Sequence, residues 1–114
     1  MDNTSEYIEM CRKATEIQEL WEPKVGDWTP AGCCDLIIYT NPKGKFTFLP
    51  RQDQLQEMVP NFNIYGTTER FSEWVRKDAY CQDVKWLSME QLWLAFVMHE
   101  KYGKKWDGKD WEHN

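Results

Sequence analysis

The chain has no long apolar run. Its most hydrophobic stretch, residues 92–98, is seven residues long, against the ~20 that cross a bilayer. No N-terminal segment reads as a signal peptide. Glycine is scarce, six residues in 114, and nowhere forms a phosphate-cradling loop. The two histidines are His99 and His113. His99–Glu100 opens a HExxH pattern, but Gly103 stands where the second histidine is required, so the metalloprotease motif is absent. Of the four cysteines, Cys33 and Cys34 are adjacent rather than spaced as CxxC, and Cys11 and Cys81 lie far from them. Nothing specifies a tetrahedral zinc site, and no spacing implies a cofactor. Without a secretion signal, reduced thiols and a cytoplasmic location are expected. Excess positive charge is also lacking. The formal charge is -5, and residues 1–34 carry seven acids against three bases, which favours solubility and disfavours non-specific nucleic-acid binding. No repeat, linker or low-complexity tract divides the chain, so residues 1–114 are expected to form a single domain.

Aromatic residues are plentiful, with seven Trp among 114 residues. Such side chains bury large areas and serve both cores and interfaces. The strongest pattern is LSMEQLWLAFVMHEKYG, residues 87–103. Ser88 and Gln91 stand at capping-box positions, Leu87 and Leu92 are placed for a hydrophobic staple, and Gly103 suits a left-handed C-cap. Met89, Leu92, Trp93, Phe96 and Val97 mark one side, and Leu94, Ala95, Met98 and Tyr102 the other. This helix needs cover around most of its circumference.

Upstream, Tyr7, Met10, Cys11, Ala14, Ile17 and Trp21 recur at helical spacing and predict one helix over residues 4–21, capped by Asn3. Residues 25–28 read as a short strand and 29–32 as a loop. Residues 35–40 and 45–49 read as strands of a β-hairpin around the turn at 41–44. Residues 50–59 predict a short helix with Pro50 in its first turn and Leu55, Met58 and Val59 on its apolar edge. Residues 61–66 suit a loop or an edge strand. A helix beginning at Thr67 or Thr68 presents Phe71, Trp74 and Val75. Trp106 and Trp111, about the turn Asp107–Gly108, mark a small hairpin or a docked tail. The expected fold is therefore α+β, three or four helices packed on a small antiparallel sheet containing a β-hairpin.

No pair of carboxylates and no nucleophile–base pair is singled out by spacing. Lys101, Lys104, Lys105 and Lys109, interleaved with Trp106 and Trp111, offer an alternative role in nucleic acid binding, with bases stacked on indoles. Glu100, Asp107, Asp110 and Glu112 offset that field. Leu94, Met98 and Tyr102 offer a second apolar face, from which a homodimer is expected.

Two blocks, FLPRQDQLQEM at residues 48–58 and SMEQLWLAFVMHEKY at residues 88–102, together with YIEMCRKA at 7–14 and VGD at 25–27, resemble segments of small uncharacterised proteins of bacteriophages and prophages of Gram-positive bacteria. The resemblance implies a phage-type origin and carries no catalytic role. Within the first block, Arg51, Gln52, Asp53 and Gln54 sit where a strand feeds a helix start. Free N–H groups there, with Arg51 as a bidentate clamp, are expected to hold an anion or an acidic side chain. The expected function is that of a cytoplasmic, non-enzymatic accessory protein acting through protein–protein association. The alternatives are the Lys/Trp nucleic-acid module and, less favoured, a small hydrolase.

Overall fold

A computed structural model describes residues 2–22, 24, 26–31, 35–38, 47–59, 64–80 and 86–113. The fold is mixed α+β. In chain order its elements are α1 (Ser5–Lys13), α2 (Thr15–Leu20), β1 (Trp28–Ala31), β2 (Asp35–Ile38), α3 (Gln52–Met58), α4 (Ile64–Trp74), a π-helical segment (Val75–Ala79), α5 (Met89–Tyr102), β3 (Lys104–Trp106) and β4 (Trp111–His113). No helix among the described residues is long and apolar enough to cross a membrane.

Helix α5 is the hub. α1, α3 and β3 all pack on it, and residues 93–98 are buried on every side. Its ends follow the sequence reading. The Ser88 hydroxyl accepts from Gln91 N at 3.1 Å. The Gln91 side chain reaches back to accept from Leu87 N at 3.0 Å. Gly103 takes the left-handed conformation at φ 63°. Leu87 itself is exposed, so no buried staple forms there. The expected intermolecular face of Leu94, Met98 and Tyr102 is corrected at two positions: Leu94 and Met98 are fully buried within the chain, while Tyr102 is half-buried. The reason is that α1 and α3 cover the helix face that amphipathic counting left open.

The expected single helix over 4–21 is two helices. Ala14, at φ -81° and ψ 71°, interrupts it. The Cys11 carbonyl at this break accepts from Gln18 Nε2 at 2.9 Å. The same amide grips the backbone of Phe48, accepting from its N–H at 2.8 Å and donating to its carbonyl at 3.0 Å. The break thus exchanges helical continuity for a side-chain amide that pairs with an extended segment. Helix α1 is capped by Thr4, not Asn3, through a 3.2 Å bond from Tyr7 N.

The expected hairpin is also corrected. Among the described residues β2 pairs with β1, not with 47–49, in an antiparallel register that sets Trp28 opposite Ile38 and Ala31 opposite Asp35; residues 39–46, which carry the rest of the expected hairpin, lie outside the described residues. The stretch read as a loop, 29–32, therefore lies largely in a strand. Leu49 joins through a bridge to Trp28. The turn at 41–44 lies outside the described residues. At the other end of the chain, β3 and β4 form the hairpin foreseen around Asp107–Gly108, with Trp106 opposite Trp111. Their rings meet at 5.1 Å, and Trp111 Nε1 donates to Met10 O at 3.0 Å, docking the hairpin on α1.

Asp2 ties the two best-capped helices together. One carboxylate oxygen accepts from the Thr4 N–H and hydroxyl at 2.8 and 2.7 Å. The other accepts from the Ser88 hydroxyl at 2.5 Å and from Gln91 Nε2 at 3.0 Å. One carboxylate therefore serves the N-termini of both α1 and α5, where negative charge is favoured. Burial pushes this carboxyl up, but the Ser88, Thr4 and Gln91 donors outweigh it and hold the group below its ordinary value of 3.8. A lowered folded-state pKa means stability present above the unfolded value and lost as pH falls through the folded one. Asp2→Ala is expected to cost about 1–2 kcal/mol at pH 7. Urea unfolding across a pH series checks this, the gap to the native chain shrinking below pH 3.8. Leu94→Ala is expected to cost about 2–5 kcal/mol by opening a core cavity, measured by the same titration at neutral pH.

Candidate functional site

The segment Arg51–Gln54 is where the sequence placed a binding site, and the side chains of Arg51, Asp53 and Gln54 are already engaged. Arg51 N donates to Gln54 Oε1 at 2.8 Å. The Arg51 guanidinium donates to Asp53 at 3.1 Å and to the Gly26 carbonyl at 3.1 Å. Gln54 Nε2 donates to Asp27 Oδ1 at 2.9 Å. Asp27, only 6% exposed, accepts on its other oxygen from Trp21 Nε1 at 2.9 Å and Lys24 N at 3.0 Å. The segment therefore stitches the start of α3 to the 24–27 turn. The expected anion clamp is not open in this arrangement, because the Arg51 guanidinium is turned to Asp53 and the Gly26 carbonyl. Gln52 is half-buried beside them. Gln54 and Asp27 instead line a cleft of about 270 Å³ with Trp21, Phe48, Glu22 and Glu57.

The C-terminal Lys/Trp region does not present its indoles. Trp106 and Trp111 are buried against each other and α1, so bases have no face on which to stack. Lys104 is paired with Glu16 at 2.5 Å, and Lys101 Nζ lies 5.6 Å from the Tyr102 ring centre. Lys105 and Lys109 remain exposed, and the Lys109 carbonyl accepts from Lys13 Nζ at 2.6 Å. Burial and the neighbouring Glu16 charge push the Tyr102 hydroxyl pKa up.

His99 faces a cleft of about 260 Å³ between α4, the π-helical segment and α5. Two ion pairs lie there: Arg70 holds Glu100 through two bonds of 2.9 and 2.8 Å, and Lys77 holds Glu73 at 2.8 Å; Asp78 also lines the cleft. The His99 ring lies 6.0 Å from that of Trp74. Cys11 is fully buried, and burial pushes its thiol well above the ordinary range, which leaves it a poor nucleophile at neutral pH. Among the described residues no three His, Cys, Asp or Glu side chains gather as a metal site. Cys33, Cys34 and Cys81 lie outside the described residues.

Sequence reasoning missed the most distinctive surface. Phe71, Val75, Tyr80, Met89 and Leu92 line an apolar groove of about 410 Å³, with Ser72 and Arg76 also lining it. Tyr80 is 86% exposed and Met89 46%. The floor is built by aromatic packing of α4 on α5: Phe71 stacks on Trp93 with centroids 3.9 Å apart, and meets Phe96 edge-on at 5.3 Å. Trp74 turns into the core while Phe71 and Val75 stay half-buried. The π-helical segment ends at this groove, Tyr80 N donating to Val75 O five residues back at 2.9 Å. Segments of this kind are rare and recur at functional sites. The signal available in sequence was the Phe71–Trp74–Val75 stripe, but periodicity does not separate a core face from a docking face.

The stitching role of Gln54 predicts a larger stability loss for Gln54→Ala than for Arg51→Ala. The first removes the donor to a buried carboxylate, about 1–3 kcal/mol. The second removes an exposed ion pair and one bond to a carbonyl, about 1 kcal/mol or less. Paired urea titrations measure the difference.

In comparisons with protein-family models, curated proteins and solved structures, nothing matched this chain.

Proposed function

We propose that this chain is a non-enzymatic accessory protein of the phage type that acts by protein association, its apolar groove taking an amphipathic helix from a protein partner. The observation that carries the reading is the groove itself, a concave apolar surface whose exposed rim keeps Tyr80 and Met89 in water. Large exposed apolar side chains around a preformed hollow mark interaction sites. A trough between two helical elements matches helix-in-groove recognition, in which anchors at i, i+3 or i+4 and i+7 enter the hollow. Among the described residues lining the groove Arg76 is the one that carries charge, so the complementary helix carries a carboxylate beside its apolar anchors.

A helical probe peptide with Leu at i, i+4 and i+7, flanked by Glu, is expected to bind saturably and to perturb the Val75 and Met89 methyl resonances. The same peptide flanked by Lys is expected to bind more weakly. Met89→Glu is expected to weaken the Glu peptide by roughly tenfold or more, since it places a charge in a desolvated contact. Equal binding of both peptides, or binding unaffected by Met89→Glu, rejects the reading. A concentration-dependent dimer in sedimentation that Met89→Glu abolishes assigns the groove to a second copy instead.

A further inference from the structure

We infer that Met89 is an oxidation site through which a hydroperoxide closes the apolar groove: its thioether takes up one oxygen, and the sulfoxide turns away the docking helix. The inference rests on the reading of the groove given above and adds its regulation. The methionines of this chain differ in their surroundings. Met10 and Met98 are buried in the core, at 1% and 0% exposure. Met58 is partly buried at the end of α3 and packs against the core. Met1 lies outside the described residues. Met89 is 46% exposed and lines the groove, which makes it the most open thioether among the described residues.

Its place in the fold lets it change without unfolding anything. Met89 is the first residue of α5, and the cap of that helix is made by Ser88 and Gln91 without the Met89 side chain. Around it the hollow is apolar, lined by Phe71, Val75 and Leu92. An unbranched thioether adapts to varied apolar partners, which suits a docking rim. It differs from leucine in one respect: oxidation makes it polar and reduction makes it apolar again. A sulfoxide oxygen covered by an apolar anchor loses its water and gains no donor from that anchor. Burying a polar group on those terms is unfavourable.

The step balances with the hydroperoxide as the oxidant. The Met89 sulfur attacks the terminal peroxide oxygen, the S–O bond forms and the O–O bond breaks. The departing alkoxide takes the proton carried on the transferred oxygen and leaves as an alcohol, or as water when the oxidant is hydrogen peroxide. Sulfur gives up two electrons and the peroxide bond receives them. A methionine sulfoxide reductase reverses the change at the expense of a dithiol, which becomes a disulfide while the oxygen leaves as water. Met10 and Met98, enclosed in the core, are reached by peroxide only when the chain opens.

The test treats the folded full chain with limiting hydrogen peroxide and reads oxygen uptake at each methionine by peptide mapping with mass spectrometry. Met89 is expected to gain oxygen ahead of Met58, Met10 and Met98; uptake at any of these three level with or ahead of Met89 overturns the assignment. The Glu-flanked helical peptide is then titrated into treated and untreated chain. Oxidation is expected to weaken it roughly fivefold or more, with the chain still folded by circular dichroism. Sulfoxide reductases with dithiothreitol are expected to restore the affinity, and dithiothreitol alone is not, which separates the thioether from the cysteines. Met58→Leu is expected to stay sensitive to peroxide. Met89→Leu, compared only with itself before and after treatment, is expected to be indifferent. Unchanged affinity after oxidation, a loss that persists in Met89→Leu, or recovery with dithiothreitol alone overturns the gate and leaves the groove reading in place. Failure of the untreated chain to bind the peptide overturns the groove reading, and the gate with it, whatever the oxidation map shows.

Discussion

A helix buried along six consecutive residues cannot be stabilised by a single neighbour. α5 presents Trp93 through Met98 to the interior on every side, and everything else is arranged to keep water from it. α1 and α3 cover it directly, and β3 continues from its C-terminus to pack back against it. α4 reaches it through rings, with Phe71 on Trp93 and Trp74 against Phe96. This explains the aromatic content: flat side chains fill the angled gap between two helices with large area and little conformational entropy. Several of them leave a polar atom behind. Among the described residues the buried indole N–H groups of Trp93 and Trp106 find no hydrogen-bond partner, a cost accepted where apolar area is gained.

Polar groups in this protein act mainly as staples between elements that apolar packing brings near one another. Asp2 serves two helix N-termini at once. Gln18 spans the α1–α2 break and the backbone of Phe48. Gln54 and Asp27 join α3 to the turn before β1. Tyr7, fully buried, donates its hydroxyl to Pro50 O at 2.5 Å, and burial, followed by the neighbouring Cys11, pushes its pKa well up, so it stays a donor at any physiological pH. Each is a side chain meeting backbone or another side chain far along the chain, and each needs its element placed first.

Two surface hollows follow from the same economy. The groove exists because α4 and the π-helical segment approach α5 closely enough to stack Phe71 on Trp93 but leave Met89, Leu92 and Val75 incompletely covered. At the ends of α2 and α3 a second hollow forms where Trp21 stacks on Phe48 and bonds Asp27. Neither surface is a property of one segment.

The local features were legible in the chain itself. The limits of α5, its Ser88 cap, its Gly103 stop, the C-terminal Trp–Trp hairpin and the α+β class all rest on residues within a few positions of one another, where capping, turn and periodicity rules operate. What the tertiary structure alone decided was pairing and facing. Ala14 breaks a helix whose apolar periodicity continues unbroken, because Gln18 finds partners 7 and 30 residues away. β2 pairs with β1 although the turn residues at 41–44 favour the next segment. Leu94 and Met98 lie inside, and Val75 and Met89 lie at a surface, although all four are apolar residues on helices. Hydrophobicity states that a side chain gains by leaving water, not against what it will pack, and that second fact depends on elements distant in sequence.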